Sequence, residues 1–249
     1  MTKSYHILAL FPELLKDYFS ASLLGKAQEG GLLNFRYHQL RDWSVGNYNQ
    51  VDDKPYGGGA GMVFLPEVVV PAVRDLRKKH GVQHVVMTSP GGEPLTPKVA
   101  KDLSQKDSVL FLCGRFEGID QRAVDLVVDQ EISVGDYVLT GGELAAGVMI
   151  DAMARFVPGV VGKEDSVAQD SFEAGLLEHP HYTRPEVFEN IPVPEVLLSG
   201  HHKNIQEWRR KESLRRTWSR RPDLLKKVKL DAGELEYIKE MIHRSKVSD

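Results

Sequence analysis

Residues 84–142 read HVVMTSPGGEPLTPKVAKDLSQKDSVLFLCGRFEGIDQRAVDLVVDQEISVGDYVLTGG. Three short apolar runs stand out: His84–Thr88, Val109–Cys113 and Glu131–Val134. Between them, Thr96–Leu103 and Asp120–Val128 carry apolar residues at helical spacing. Each run ends in a glycine-bearing turn: Ser89-Pro90-Gly91-Gly92, Gly114-Arg115-Phe116-Glu117-Gly118, and Gly135 through Gly142. Strand–helix alternation at this spacing argues for an α/β domain with a mainly parallel sheet. In such a sheet all three turns lie at the carboxyl edge, where ligands bind. Glycine there lets the backbone approach a ligand. A single turn of this kind is the ordinary solution to a strand–helix corner. Three in succession point to a pocket.

The pattern extends in both directions. Upstream, Tyr5–Leu10 reads as a strand, Phe11–Ala27 as one helix stopped by Gly30-Gly31, Leu33–Leu40 as a strand and Leu65–His80 as a helix. Arg41–Met62 is polar and breaks the periodicity. Downstream, Glu143–Phe156 is helical. Residues 161–175 show no sustained period and read as a mobile interdomain linker, long enough to be functional. Beyond them come an extended, proline-bearing region and helices at Asn204–Trp218, Pro222–Lys229 and Ala232–Lys246. The expected domains are therefore 1–160, α/β, and 176–249, small and all-helical.

Composition narrows the class. The chain has 249 residues, 41% hydrophobic and 27% charged, which is usual for a globular protein. The one cysteine, Cys113, excludes a disulfide scaffold and favours a reducing cytoplasm. No apolar run approaches a membrane span, and the stretch Ile7–Phe11 is too short for a signal peptide. The net charge of −3 is unevenly spread. Residues 176–249 hold 15 Lys/Arg against 12 Asp/Glu, whereas residues 1–175 hold 17 against 23. Between Gly200 and Lys229 the ratio is 11 to 3, which points to a polyanionic partner met by the C-terminal part.

Four features bear on chemistry. The glycine turns match neither GxGxxG nor GxxxxGK[ST], so dinucleotide and P-loop readings fail. With few cations nearby, an adenosine-type ligand held by main-chain groups fits better than a pyrophosphate. The segment Val51-Asp52-Asp53-Lys54-Pro55-Tyr56-Gly57-Gly58-Gly59-Ala60-Gly61 is either a flexible loop or one that closes over a substrate. Asp170 and Ser171 lie in the linker, with Arg155 upstream. A linker Asp is ordinarily solvated, and its functional reading is a general base delivered when substrate orders the segment. Arg209, Arg215, Arg216 and Arg220, interleaved with Trp208 and Trp218, are either a solvated helix face or a set of phosphate contacts. Arginine density favours nucleic acid. His179 and His181 flank Pro180, and His201 adjoins His202. No spacing matches a structural zinc site, and these histidines read as hydrogen-bonding or packing residues.

Taken in order, Phe11-Pro12-Glu13, Asp52 to Gly59, Cys113 to Asp120, Ser133 to Leu144, Arg155 to Gly159, Asp170-Ser171-Phe172 and His181 to Pro185 resemble the bacterial tRNA (guanine-37 N1)-methyltransferases of the knotted (SPOUT) superfamily. The resemblance runs from about residue 5 to about 230. Phe116 and Thr140 depart from it, where many members have Tyr and Ser. It implies a trefoil-knotted α/β domain binding S-adenosylmethionine, a helical domain gripping tRNA, a homodimer with shared sites, and Mg2+-dependent methyl transfer. It implies neither DNA nor membrane as a partner. The target would be the guanosine 3′ of the anticodon, read with a preceding guanosine. Asp170 matches the family's general base and Arg155 its residue steadying guanine O6. Thr88, Ser89, Pro90, Gly114, Glu117, Val134, Gly135, Tyr137, Leu139, Gly141 and Gly142 would surround the cofactor. Asp52, Gly61, Ser171 and the four arginines would meet the substrate; a metal position is not implied. Two other readings compete: a ribose 2′-O-methyltransferase of the same superfamily, which has no specific need of Asp170, and a non-catalytic RNA-binding protein that senses the cofactor. A generic nucleotide-binding protein is disfavoured by the missing phosphate motifs.

Overall fold

Parallel strands buried on both faces need near-continuous apolar sequence, and the runs above supply it. A computed structural model describes residues 2–46, 48–162, 170–172 and 175–247. The chain divides into two units, Met1–Lys163 and Glu164–Asp249.

The first unit begins with β1 (Lys3–Ala9), α1 (Lys16–Ser20), α2 (Ser22–Glu29) and β2 (Leu33–Gln39). A short hairpin, β3 (Asp52–Asp53) and β4 (Val63–Phe64), precedes α3 (Pro66–His80). Then come β5 (His84–Pro94), α4 (Pro97–Ser104), β6 (Ser108–Cys113), α5 (Gln121–Val127), β7 (Gln130–Ser133) and α6 (Gly142–Ala154). Five strands form one parallel sheet in the order β2-β1-β6-β5-β7. Alternation sends Tyr5, Ile7, Val109 and Phe111 to one face, where Phe19, Leu103, Met149 and Met153 cover them. Leu8, Leu110 and Leu112 face the other way, against Val69, Val73 and Leu76 of α3 and Ala123 of α5. The result is an α/β arrangement with helices on both faces of the sheet, and the parallel sheet is the one expected from the alternation.

Local signals set the helix ends. Pro66 opens α3, and Gly81 closes it in the left-handed region (φ 63°), its N–H donating to the Arg77 carbonyl at 3.1 Å. The Asp120 carboxylate caps α5 by accepting from the Arg122 N–H at 2.9 Å.

Phe11–Ala27, expected as one helix, is three pieces: a 3-10 turn at Pro12–Leu15, then α1 and α2 broken at Ala21. The break seats Gly25 on the end of α1. A Cβ at Gly25 would lie 2.2 Å from the Ser20 carbonyl oxygen, so glycine permits a kink that the apolar periodicity conceals.

In the second unit, β8 (Val187–Phe188) and β9 (Ile191–Pro192) pair as a hairpin. They are followed by α7 (Glu195–Leu198), α8 (His202–Arg220), α9 (Pro222–Leu225) and α10 (Ala232–Val247). The hairpin and α7 fall in the stretch read as extended, and the helix expected over 222–229 ends at Leu225. Leu176, Leu214 and Ile238 form a small core with Trp218 and Val228 around them. Thr217 is buried there; its hydroxyl accepts the Leu177 N–H at 2.9 Å and donates to the Ser213 carbonyl at 2.7 Å. Of the expected linker, residues 163–169 and 173–174 lie outside the described residues.

Candidate active site

Strands β5, β6 and β7 end on one edge of the sheet, and the chain does something irregular after each. Pairing of β5 with β7 breaks between Thr88 and Glu93, so Ser89–Gly92 loops out before Glu93 and Pro94 rejoin Ile132 and Ser133. Gly92 is pressed against β7; a Cβ there would sit 2.4 Å from the Glu131 carbonyl carbon. The turn after β6 holds Phe116 at φ 59° and Gly118 at φ 106°, with the Gly118 N–H donating to the Arg115 carbonyl at 3.0 Å. The turn after β7 runs to the start of α6.

These turns enclose a cleft of about 220 Å³. Thr88, Ser89, Pro90, Gly114, Glu117, Val134, Gly135, Tyr137, Leu139, Gly141 and Gly142 all line it. The fold therefore brings together every residue expected around the cofactor. It adds Arg115, Phe116, Gly118, Ile132, Ser133, Val138, Thr140 and Ala145. Arg115 and Phe116 lie inside a quoted motif, which was the available signal for them.

Two glycines knit the turns together. The Gly142 N–H donates to the Gly114 carbonyl at 2.8 Å, and a Cβ on Gly142 would lie 2.1 Å from Thr88 Oγ1 and 2.9 Å from Cys113 Cα. A Cβ on Gly141 would meet Glu143 Oε2 at 2.5 Å and Arg115 Nε at 2.8 Å. Beneath them, Arg115 Nε donates to Glu143 Oε1 at 2.9 Å, and Glu143 is only 2% exposed. The guanidinium also covers the Phe11 ring at 4.8 Å. Among the described residues Arg115 is the one cation lining the cleft, and it is paired with a carboxylate. Burial, aided by Glu143 and opposed by Arg115, pushes the Cys113 thiol well above its usual range. It is a packing residue and not a nucleophile.

Thr88 Oγ1 is buried without a hydrogen-bond partner. Leaving such a group unpaired costs roughly 1–3 kcal/mol, so the cleft gains from a ligand with a complementary polar atom. Backbone groups exposed by glycine, one unpaired hydroxyl and the Glu117 carboxylate suit an adenosine-bearing ligand with a cationic end. That donor set fits S-adenosylmethionine.

The glycine-rich segment reaches the same place. Gly61, at φ 87°, packs on Glu117: a Cβ would lie 2.4 Å from Glu117 Oε1. The Glu117 N–H donates to the Met62 carbonyl at 3.0 Å, and the Phe64 N–H to the Gly118 carbonyl at 2.9 Å. Asp52, opposite Phe64 in the hairpin, anchors the other end of the loop. The tip is open. Gly57, Gly58 and Gly59 all have positive φ, and Tyr56 is 99% exposed.

Arg155 follows α6 as its C-terminal cap and is exposed. Asp170 and Ser171 belong to the second unit and are half-buried; the Ser171 hydroxyl accepts the Glu178 N–H at 2.9 Å. Arg209, Arg215, Arg216 and Arg220 all lie on α8. Arg215 is held by Glu212, with Nη2 donating to Oε2 at 2.6 Å. Tyr182 stands beside Trp208 with ring centroids 6.2 Å apart. Tyr182, Trp208 and the arginines of α8 give this unit the aromatic and cationic groups that RNA contacts use.

A family model described as tRNA (Guanine-1)-methyltransferase TrmD matches residues 3–227. The chain is 50% identical over 236 residues to the tRNA (guanine-N(1)-)-methyltransferase of Bacillus cereus (strain B4264), covering 94% of this chain and 97% of that one. Against the protein of the same name from Pelotomaculum thermopropionicum, identity is 50% over 238 residues and 95% of each chain. Against that from Bacillus anthracis (strain A0248), it is 51% over 238 residues, 94% of this chain and 98% of the relative.

Proposed function

The chain belongs to the tRNA (Guanine-1)-methyltransferase family, and from that premise we propose that it moves the methyl group of S-adenosylmethionine to N1 of guanosine 37 of tRNA, immediately 3′ of the anticodon. The observation that carries this reading is the convergence of three glycine turns on one cleft that contains an unpaired Thr88 hydroxyl. The cofactor supplies an electrophilic methyl on a sulfonium. Glu117 would hold its ammonium group, and main-chain groups of Gly114, Gly135 and Leu139 would hold the rest.

The chain's own chemistry concerns the guanine. N1 of neutral guanine carries a proton and has no free lone pair. The Asp170 carboxylate would take that proton, and the N1–H pair freed would form the bond to the methyl carbon as the sulfonium C–S bond breaks and its pair returns to sulfur, leaving the neutral thioether S-adenosylhomocysteine. Charge left on O6 is met by the Arg155 guanidinium, an oxyanion role. A carboxylate is a weak base in water, so the step requires Asp170 to be held dry against N1 in the tRNA complex. Asp52, Gly61 and Ser171 contact the substrate side, and Arg209, Arg216 and Arg220 meet its phosphates. Mg2+ dependence belongs to the same proposal, with no residue assigned to hold the ion.

The proposal includes a homodimer with sites shared between subunits. Phe11, Leu14 and Tyr18 are exposed next to Leu144 and Val148 of α6, and the Tyr18 hydroxyl donates to Asp151 on the same helix face. An apolar patch of this kind supports burial against a second copy. Among the described residues no helix is long and apolar enough to cross a membrane, and a cytoplasmic site of action is part of the proposal, supported by tRNA as substrate. Single-turnover methyl transfer by Asp170→Ala tests the chemistry. A drop of ~10²–10⁴-fold with tRNA still bound is expected for a general base; a rate near that of the unmodified protein would remove Asp170 from the role.

A further inference from the structure

Glu178, His179 and His181 are not used by the chemistry above, yet the fold gathers them. One ligand-type atom from each lies within 4.8 Å of the others. His181 Nε2 and Glu178 Oε1 are 2.8 Å apart, and the rings of His179 and His181 have centroids 4.6 Å apart. We propose that these three side chains form a binding site for a divalent transition-metal ion of the Zn2+ and Co2+ class.

Donors around a tetrahedral ion at 2.0–2.1 Å stand roughly 3.3 Å from one another. The trio's ligand atoms lie within 4.8 Å of one another, at most about 1.5 Å wider than that spacing. The backbone itself is pinned from three sides. The Leu177 N–H donates to Thr217 Oγ1 at 2.9 Å, Ser213 Oγ donates to the Leu177 carbonyl, and the Glu178 N–H donates to Ser171 Oγ at 2.9 Å. Pro180 fixes the dihedral between the two histidines. Trp208 sets its ring edge-to-face against His179 at 6.4 Å.

The donor set chooses the metal. Two imidazoles and one carboxylate, with a fourth position left for water, is a three-ligand set that Zn2+ takes. Mg2+ and Ca2+ require oxygen ligands throughout. The site is independent of the methyltransferase reading, although the Glu178–Ser171 hydrogen bond places it one residue from Asp170.

The test is titration of the full-length, metal-stripped protein with Co2+ alone, followed by displacement with Zn2+. One equivalent of Co2+ is expected, with the visible absorption of a four-coordinate ion, lost when Zn2+ is added. His179→Ala and His181→Ala should each weaken binding by at least the roughly 10–100-fold that loss of an outer-shell partner costs. His202→Ala, on an exposed residue at the start of α8, should bind as the unmodified protein does. His181→Asn replaces an exposed ring with a smaller polar side chain and should melt at the unmodified temperature while losing Co2+ affinity. No Co2+ uptake by the unmodified protein, or unchanged affinity in a folded His181→Asn protein, would overturn the site.

Discussion

Glu117 shows what a single residue contributes here. Its N–H is tied to Met62 and its carboxylate lies against Gly61, a residue 56 positions earlier. Hydrogen bonds to charged groups are worth about 1.5–3 kcal/mol. Glu117→Gln should therefore weaken S-adenosylmethionine binding by roughly 10–100-fold in calorimetric titration, with the melting temperature unchanged. A fall in melting temperature with unaltered affinity would make Glu117 structural. A second residue-level prediction concerns pH. His6 is buried and stacked on His38 at 5.2 Å, with His80 beside both. Burial, then the neighbouring histidines and Arg36, push His6 down to about 3. Burial, then His80 and Arg36, push His38 down to about 4. Both are held neutral in the folded state, while the unfolded chain binds their protons below the usual value of 6.5. Stability is thus fully present above pH ~6.5 and falls as pH drops toward the two lowered values. The urea midpoint should be lower at pH 5 than at pH 7, and His38→Gln should reduce that difference. At this scale the glycines of the three turns were legible, because glycine directly after an apolar run marks a strand–ligand edge. The Glu117–Gly61 contact was not, since it depends on a hairpin only two residues wide on each strand. Nor was the histidine cluster, whose members come from β1, β2 and α3.

At the scale of elements, strands were easier to read than helix boundaries. Strands β1, β2, β6 and β7 begin and end within a residue or two of the apolar runs. The helix expected across Phe11–Ala27 failed because periodicity records which face is buried and not whether the backbone is continuous. The Gly25 contact with Ser20 decides that. Helix α8 followed its arginine pattern, but the structure sorts those arginines. Arg215 is bound to Glu212 within the helix, whereas none of the ion pairs resolved among the described residues engages Arg209, Arg216 or Arg220. Replacing Arg209, Arg216 and Arg220 together by Ala should lower tRNA affinity. It should also flatten the dependence of log K on log salt by roughly 2–3 units. Arg215→Ala alone should change that slope least. Filter binding across a salt series measures both, and an unchanged slope in the triple variant would take α8 out of the phosphate contacts.

For the whole molecule, the sequence signalled two units, and the structure divides the chain at Lys163 and Glu164. The proposed homodimer is a property no periodicity could reveal, because an apolar face on α6 reads the same whether it meets another helix or another chain. Leu144 is 62% exposed on that face. Leu144→Glu should yield a folded monomer in sedimentation and abolish transfer if each site is built from two subunits. A fully active monomer would contradict the shared site. The most direct test of the central proposal is methyl transfer from labelled S-adenosylmethionine to a tRNA transcript with guanosines at positions 36 and 37, beside the same transcript with adenosine at 37. Label is expected only in the first, recovered as 1-methylguanosine after nucleoside digestion. Label in both transcripts, or label recovered on ribose, would contradict it.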